Sequence, residues 1–154
     1  MKRRRERAEE MRVLRLWDWD EVTKALPYFH SVIGSLREHW LELRNAECRL
    51  ERRPDVVASS RRQEMIDETS RQDERRRAEE KFEDALGELN ALDVYLLDPI
   101  GGFVLIPFRN KDELAWYVFD HFAKDGVIGW RYHQDPIDQC RPLDDAMIGP
   151  ATPS

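Results

Sequence analysis

Three polar residues in the C-terminal half of the chain could act together on a ligand: Asp120, Arg131 and His133. The dipeptide Asp125-Gly126 is typical of a two-residue hairpin turn. Such a turn sets Asp120 opposite Arg131 and places His133 on the same face of the sheet. An arginine held by a carboxylate beside a histidine could bind an anionic ligand or tune a proton-transfer group. The competing interpretation, which we favour, is a cross-strand ion pair contributing about 0.2 to 1 kcal/mol.

Other residues that could hold a metal or act as nucleophiles are poorly spaced. No CxxC, HxxxH or HExxH pairing is present, and His30 and His39 would lie about 13 Å apart along a helix. Cys140 has a basic neighbour in Arg141 but no identifiable general base. The potential metal ligands that lie close together in the sequence are His121, His133, Asp135, Asp138 and Cys140. We therefore predict no catalytic residue, no metal site and no cofactor.

The composition restricts the class of protein. A length of 154 residues fits one domain, and 41% hydrophobic beside 36% charged residues indicates a core with a long solvated part. The net charge of -6 disfavours nucleic acid as a partner. A basic cluster within residues 1–14 is interpreted as a solvated N-terminal extension. The two cysteines and the absence of a long apolar run predict a cytoplasmic protein outside the membrane.

The first half of the chain predicts a helical hairpin over residues 18–92. Asp18 and Glu21 form a capping-box pattern, and an apolar stripe then continues until about Arg53. Pro27 predicts a kink or short break after Leu26. The bend falls at 53–60. A second helix follows from about Arg61 to Ala91, with a buried stripe predicted at Met65, Ile66, Thr69, Ala78, Phe82, Ala85, Leu86, Leu89 and Leu92.

Each helix would be about 45 to 50 Å long, so the hairpin should protrude beyond the small sheet that follows. Leu43 and Leu50 are predicted to keep exposed apolar surface near its far end. We expect the two helices to pair as a coiled coil, and the uncovered surface favours dimerisation.

In the second half of the chain the residue pattern becomes typical of β-strands, and it predicts a sheet over residues 93–134. Short connections favour an antiparallel meander. The fold class predicted is α+β, a long antiparallel two-helix hairpin packed on a small four-stranded antiparallel β-meander. Residues 135–143 should wrap around the domain at 15–143, and 144–154 should form a disordered tail. The four strands are predicted at Val94 to Leu97, Phe103 to Phe108, Leu114 to Phe122 and Val127 to His133.

Several motifs resemble an uncharacterised prokaryotic family, the domain of unknown function family 2203. The resemblance covers roughly Arg15 to Leu143 and implies an architecture and a cytoplasmic setting, with no activity attached. The motifs are Arg15-Leu16-Trp17, Asp18 to Glu21, Ala25-Leu26-Pro27, Leu92-Asp93-Val94, Asp98-Pro99, Gly101-Gly102, Phe103 to Phe108, Trp116, Trp130 and Arg141-Pro142-Leu143.

Two classes of function follow from these observations. The first, which we favour, is a non-enzymatic protein-interaction module whose partner is another protein or a second copy of the chain. The second is a small anionic-ligand-binding protein or enzyme that uses Asp120, Arg131 and His133. A polar pocket converging on these three residues would favour the second class.

Overall fold

The computed structural model describes residues 14–52 and 61–143. It confirms the α+β class, with two helices that pack against each other and a four-stranded antiparallel sheet. Most of the basic extension, the bend at 53–60 and the tail at 144–154 lie outside the described residues. The elements are α1 (Trp19–Glu51), α2 (Arg61–Ala91), β1 (Tyr95–Asp98), β2 (Phe103–Asn110), β3 (Glu113–Asp120) and β4 (Val127–Tyr132).

Helix α1 begins at the predicted cap. The Asp18 carboxylate accepts the Glu21 amide at 2.8 Å, and the Glu21 carboxylate accepts the Asp18 amide at 3.2 Å. Of the kink or short break predicted after Leu26, the break is wrong, because α1 continues through Pro27 to Glu51. Pro27 is on the exposed side of the helix, and buried residues before and after it hold both halves in one core. That packing offsets the cost of about 3 kcal/mol that an interior proline imposes.

The sheet has the strand order β1-β2-β3-β4, as a meander requires. One face of the sheet packs against the helices. Phe29 of α1 lies 6.0 Å from Phe119 of β3, and Trp19 lies 5.4 Å from Tyr117, measured between ring centroids. These contacts join the proximal half of the hairpin to the sheet in a single core.

The opposite face of the sheet carries a second, smaller apolar cluster. Its buried members are Leu105, Trp116 and Val118. Because side chains alternate along a strand, Trp116 and Val118 point away from the helices while Tyr117 and Phe119 point toward them. Arg131, the directly paired neighbour of Trp116, lies on this second face.

Farther from the sheet, the described residues of the hairpin pack along the seam between its helices. Leu43 and Ala46 of α1 are buried there, as is Ala78 of α2. The prediction that Leu43 stays exposed is therefore wrong, whereas Leu50 is half-buried. Three contacts fix the alignment of the helices: Trp40 with Phe82, Arg49 with Glu74, and Glu42 with Lys81.

The register between β3 and β4 differs from the prediction. Arg131 pairs with Trp116, and Gly129 pairs with Val118, followed by a bulge. The reason lies in the connection, which is longer than two residues. Asp120, the last residue of β3, pairs with Phe103 of β2 and not with Arg131. Its carboxylate accepts the amide of Phe122 at 2.9 Å, so the turn begins at Asp120.

Candidate functional site

The three residues singled out in the sequence are not brought together. Asp120 lies four positions along β3 from Trp116, the residue that faces Arg131, which is a separation of about 13 Å. His133 does lie near Arg131, because it accepts the Trp116 indole N–H at Nδ1 over 3.1 Å. The structure thus assembles Arg131 and His133 on one face and leaves Asp120 at the far end of the strand.

A different carboxylate, that of Asp135, binds an arginine at this end of the sheet. Asp135 accepts two hydrogen bonds from Arg141, at 2.8 and 3.0 Å, and one from the Tyr132 amide. The Arg141 hydrogen bond is the main cause that lowers the pKa of Asp135 to about 2. Arg131 donates to the Asp135 carbonyl. This group fastens the wrapping segment to β4.

Cys140 belongs to the same wrapping segment, and its environment opposes nucleophilic chemistry. The segment pairs with β4 through the Arg141 amide and the Trp130 carbonyl at 2.7 Å. Burial raises the pKa of the Cys140 thiol, and nearby Arg131 only partly offsets that effect. A raised pKa lowers the thiolate fraction, which is the nucleophilic form.

A second polar cluster joins α1 to the loop between β3 and β4. The rings of His30 and His121 lie 5.5 Å apart, and His121 sits against Gly34. Burial, the nearby His30 and Arg37 together lower the pKa of His121, in that order. His121 Nδ1 is buried without a hydrogen-bond partner. The cluster therefore favours the neutral form of His121. A neutral imidazole is suited to packing between the loop and α1, and less suited to transferring a proton or binding an anion.

Next to this cluster, two tight turns expose large apolar side chains. The carboxylate of Asp98 accepts a hydrogen bond from the Ile100 amide at 3.0 Å. In the same way, the carboxylate of Asp120 accepts one from the Phe122 amide. Arg37 ties the turns together, since its Nε donates to the Ile100 carbonyl and its guanidinium lies 5.1 Å from the Phe122 ring centroid. Sequence reasoning missed this group, although the repeated Asp-x-apolar spacing was a readable signal.

A groove of about 440 Å³ runs along the hairpin seam. Four of its charged lining residues are paired across the seam, Arg49 with Glu74 and Lys81 with Glu42. Paired charges leave little for a ligand to satisfy. The groove is lined by Glu42, Asn45, Arg49, Ser70, Glu74, Arg77, Ala78 and Lys81.

Beyond the seam, α2 extends past the end of α1. The seam contacts align Glu51, the last residue of α1, with about Gln72 of α2. Residues 61–70 therefore project about 15 Å farther than α1. Among the described residues, all of 61–70 are exposed except Glu68, which is half-buried.

This projecting segment carries an apolar patch on its outer side. Met65 is 65% exposed and Ile66 is 53% exposed. Thr69 precedes the buried Ala78 by nine residues, or about two and a half turns, so it faces away from α1. The prediction that Met65, Ile66 and Thr69 belong to the buried stripe is therefore wrong. We call Arg62, Met65, Ile66, Thr69 and Asp73 the outer patch; its first four members line one shallow depression.

The described residues contain no group of three metal-ligating side chains. Within the same residues, neither helix has an apolar stretch long enough to cross a bilayer. Comparisons with family models, with curated proteins and with solved structures find no match. The resemblance to family 2203 stays a prediction from the sequence.

Proposed function

We propose that this protein is a non-enzymatic protein-interaction module whose contact surface is the outer patch. One observation carries the proposal: α2 presents Met65 and Ile66 to solvent on a segment that runs past its partner helix. Both side chains lie beyond the last contact seen between the described parts of the two helices. Burying an apolar side chain of this size against a partner contributes about 1.5 to 3 kcal/mol.

The form of the surface favours recognition by another helix. The outer patch occupies a single helical face, so its backbone is already ordered before any partner arrives. Preorganised surfaces lose less conformational entropy on binding. Its apolar centre is flanked by Arg62 and Asp73, which is the arrangement of an apolar core with a polar rim.

The charge of the patch points to a protein rather than to nucleic acid or an anionic lipid surface. Its one basic residue, Arg62, is balanced by the acidic Asp73, and the whole chain carries -6. Binding to phosphate-rich partners depends on clustered basic residues. The proposal also places the module in the cytoplasm, supported by the free cysteines Cys48 and Cys140.

Site-specific photo-crosslinking in cells of the source organism tests the proposal. A benzophenone side chain at Thr69 should form protein adducts, because it stands in the outer patch. The matched control is the same group at Gly87, an exposed position on α2 where an added side chain meets nothing within 4 Å. Adducts at 69 that exceed those at 87 support the proposal. Equal or absent adducts at 69 would overturn it.

A further inference from the structure

We infer that the partner of the outer patch is a second copy of this chain, bound antiparallel through the same patch. The inference rests on the proposed function, because it names the partner of that surface. The argument begins with spacing: positions 62, 66, 69 and 73 follow one helical stripe, with Met65 at its border. Arg62 lies at the N-terminal end of the stripe and Asp73 at its C-terminal end, about 16 Å apart along the helix axis.

This order of charges is self-complementary only in an antiparallel pair. A two-fold axis between residues 67 and 68 sets Arg62 of one copy beside Asp73 of the other, twice by symmetry. The same axis brings Ile66 of one copy against Thr69 of the other, with Met65 beside them. Isologous pairing of this kind is the usual way in which identical chains associate. A parallel pair would instead place equal charges together at both ends.

The acidic end of the stripe is chemically suited to this contact. Asp73 bonds Arg76 of its own helix at 3.1 Å, and its side chain keeps 41% of its surface exposed. An aspartate with two carboxylate oxygens can accept a second arginine without losing the first. Arg62 of the other copy would thus complete an Arg-Asp-Arg group at each end of the interface.

The size of the contact sets its strength. Two helices in contact over about three turns cover well under 1,200 Å² in total, which is the range of weak or transient complexes. The apolar centre then supplies affinity, and the paired charges mainly fix the antiparallel alignment. We expect a concentration-dependent equilibrium between monomer and dimer, not a permanent dimer.

Charge reversal with mixing tests both the partner and its orientation. Arg62→Asp gives two acidic ends, and Asp73→Arg gives two basic ends, so each variant alone should self-associate about tenfold more weakly than the wild type. A mixture of the two should regain the lost affinity, because each heterodimer restores both opposite-charge contacts. Sedimentation equilibrium from low to high micromolar protein measures the wild type, each variant and the mixture.

Two controls make the test specific. Glu83→Arg changes the charge as much as Asp73→Arg, but it lies on α2 beyond the stripe and should leave association unchanged. Helical circular dichroism checks that each variant is folded. A wild type that stays monomeric, or a mixture that equals the sum of its parts, would overturn the second copy as partner. Protein adducts at position 69 of another mass would then still support the proposed function.

Discussion

The ring of His121, in the loop after β3, lies 5.5 Å from the ring of His30 on α1. Two charged imidazoles at this distance would repel each other, and Arg37 adds a third positive charge from α1. Asp120, on the loop side, attracts a proton to His121 but is the weakest of the influences on its pKa. The packing of the loop on α1 is therefore more favourable when His121 is neutral.

The first prediction follows from the direction of that pKa shift. Because the folded pKa of His121 is lowered from 6.5, the unfolded chain takes up the proton first as pH falls. The stability that His121 contributes is complete above about pH 6.5 and is lost as pH falls toward the folded pKa. Urea unfolding between pH 7.5 and 5 should show this loss. His121→Phe should flatten the slope, and a slope as steep as the wild type's would contradict the account.

The second prediction concerns the wrapping segment. Asp135 has a folded pKa of about 2 against 3.8 in a free chain, so its contribution is present above about pH 3.8 and is lost as pH falls through about 2. Asp135→Asn should remove this contribution to stability at neutral pH. Amide hydrogen exchange should then accelerate at Arg141, whose amide donates to the Trp130 carbonyl. The amides that pair β2 with β3 should keep their protection from exchange. An unchanged exchange rate at Arg141 would argue against the attachment of the wrapping segment to β4 through Asp135.

The third prediction compares two leucines of α1. Leu36 has no exposed surface and lies in the main core, so Leu36→Ala should cost about 2 to 5 kcal/mol of unfolding free energy. Leu50 is half-buried near the far end of the hairpin, and Leu50→Ala should cost much less. Chemical denaturation measures both. Equal losses would show that the distal hairpin is as well packed as the core.

The fourth prediction uses two glycines with opposite surroundings. Gly102 has φ +71°, and a Cβ there would lie 2.6 Å from the His121 Cβ, so Gly102→Ala should destabilise the protein by more than about 1 kcal/mol. Gly87, inside α2, has open space around it, and Gly87→Ala should stabilise by about 0.5 to 1 kcal/mol. Thermal unfolding measures both the expected loss of stability in Gly102→Ala and the expected gain in Gly87→Ala. A neutral Gly102→Ala would contradict the close contact between the two loops.

The elements of the fold could be predicted because local signals define them. The capping box at Asp18 and the bounds of α2 follow from side-chain chemistry and period, and both are confirmed. Pro27 misled the prediction since its effect depends on tertiary packing on both sides of it. The strand register failed for a related reason: Asp125-Gly126 suggested a two-residue turn, whereas Asp120 began the turn five residues earlier.

The candidate site could be predicted only in its general location. Apolar residues near the hairpin tip were recognised, but Met65 and Ile66 were assigned to the buried stripe. A sequence shows which residues share a helical face, not which face meets the partner helix. That choice depends on the alignment of α1 with α2, which Arg49 and Glu74 fix through a contact between residues far apart in the chain.

The most direct measurement of the central claim is methyl NMR on the wild-type protein at increasing concentration. The side-chain methyl signals of Met65 and Ile66 should shift or broaden together as the outer patch becomes covered. Ile137 is equally exposed but lies in the wrapping segment, so its signal should stay constant. Concentration-independent signals at Met65 and Ile66, or equal changes at Ile137, would contradict self-association through the outer patch.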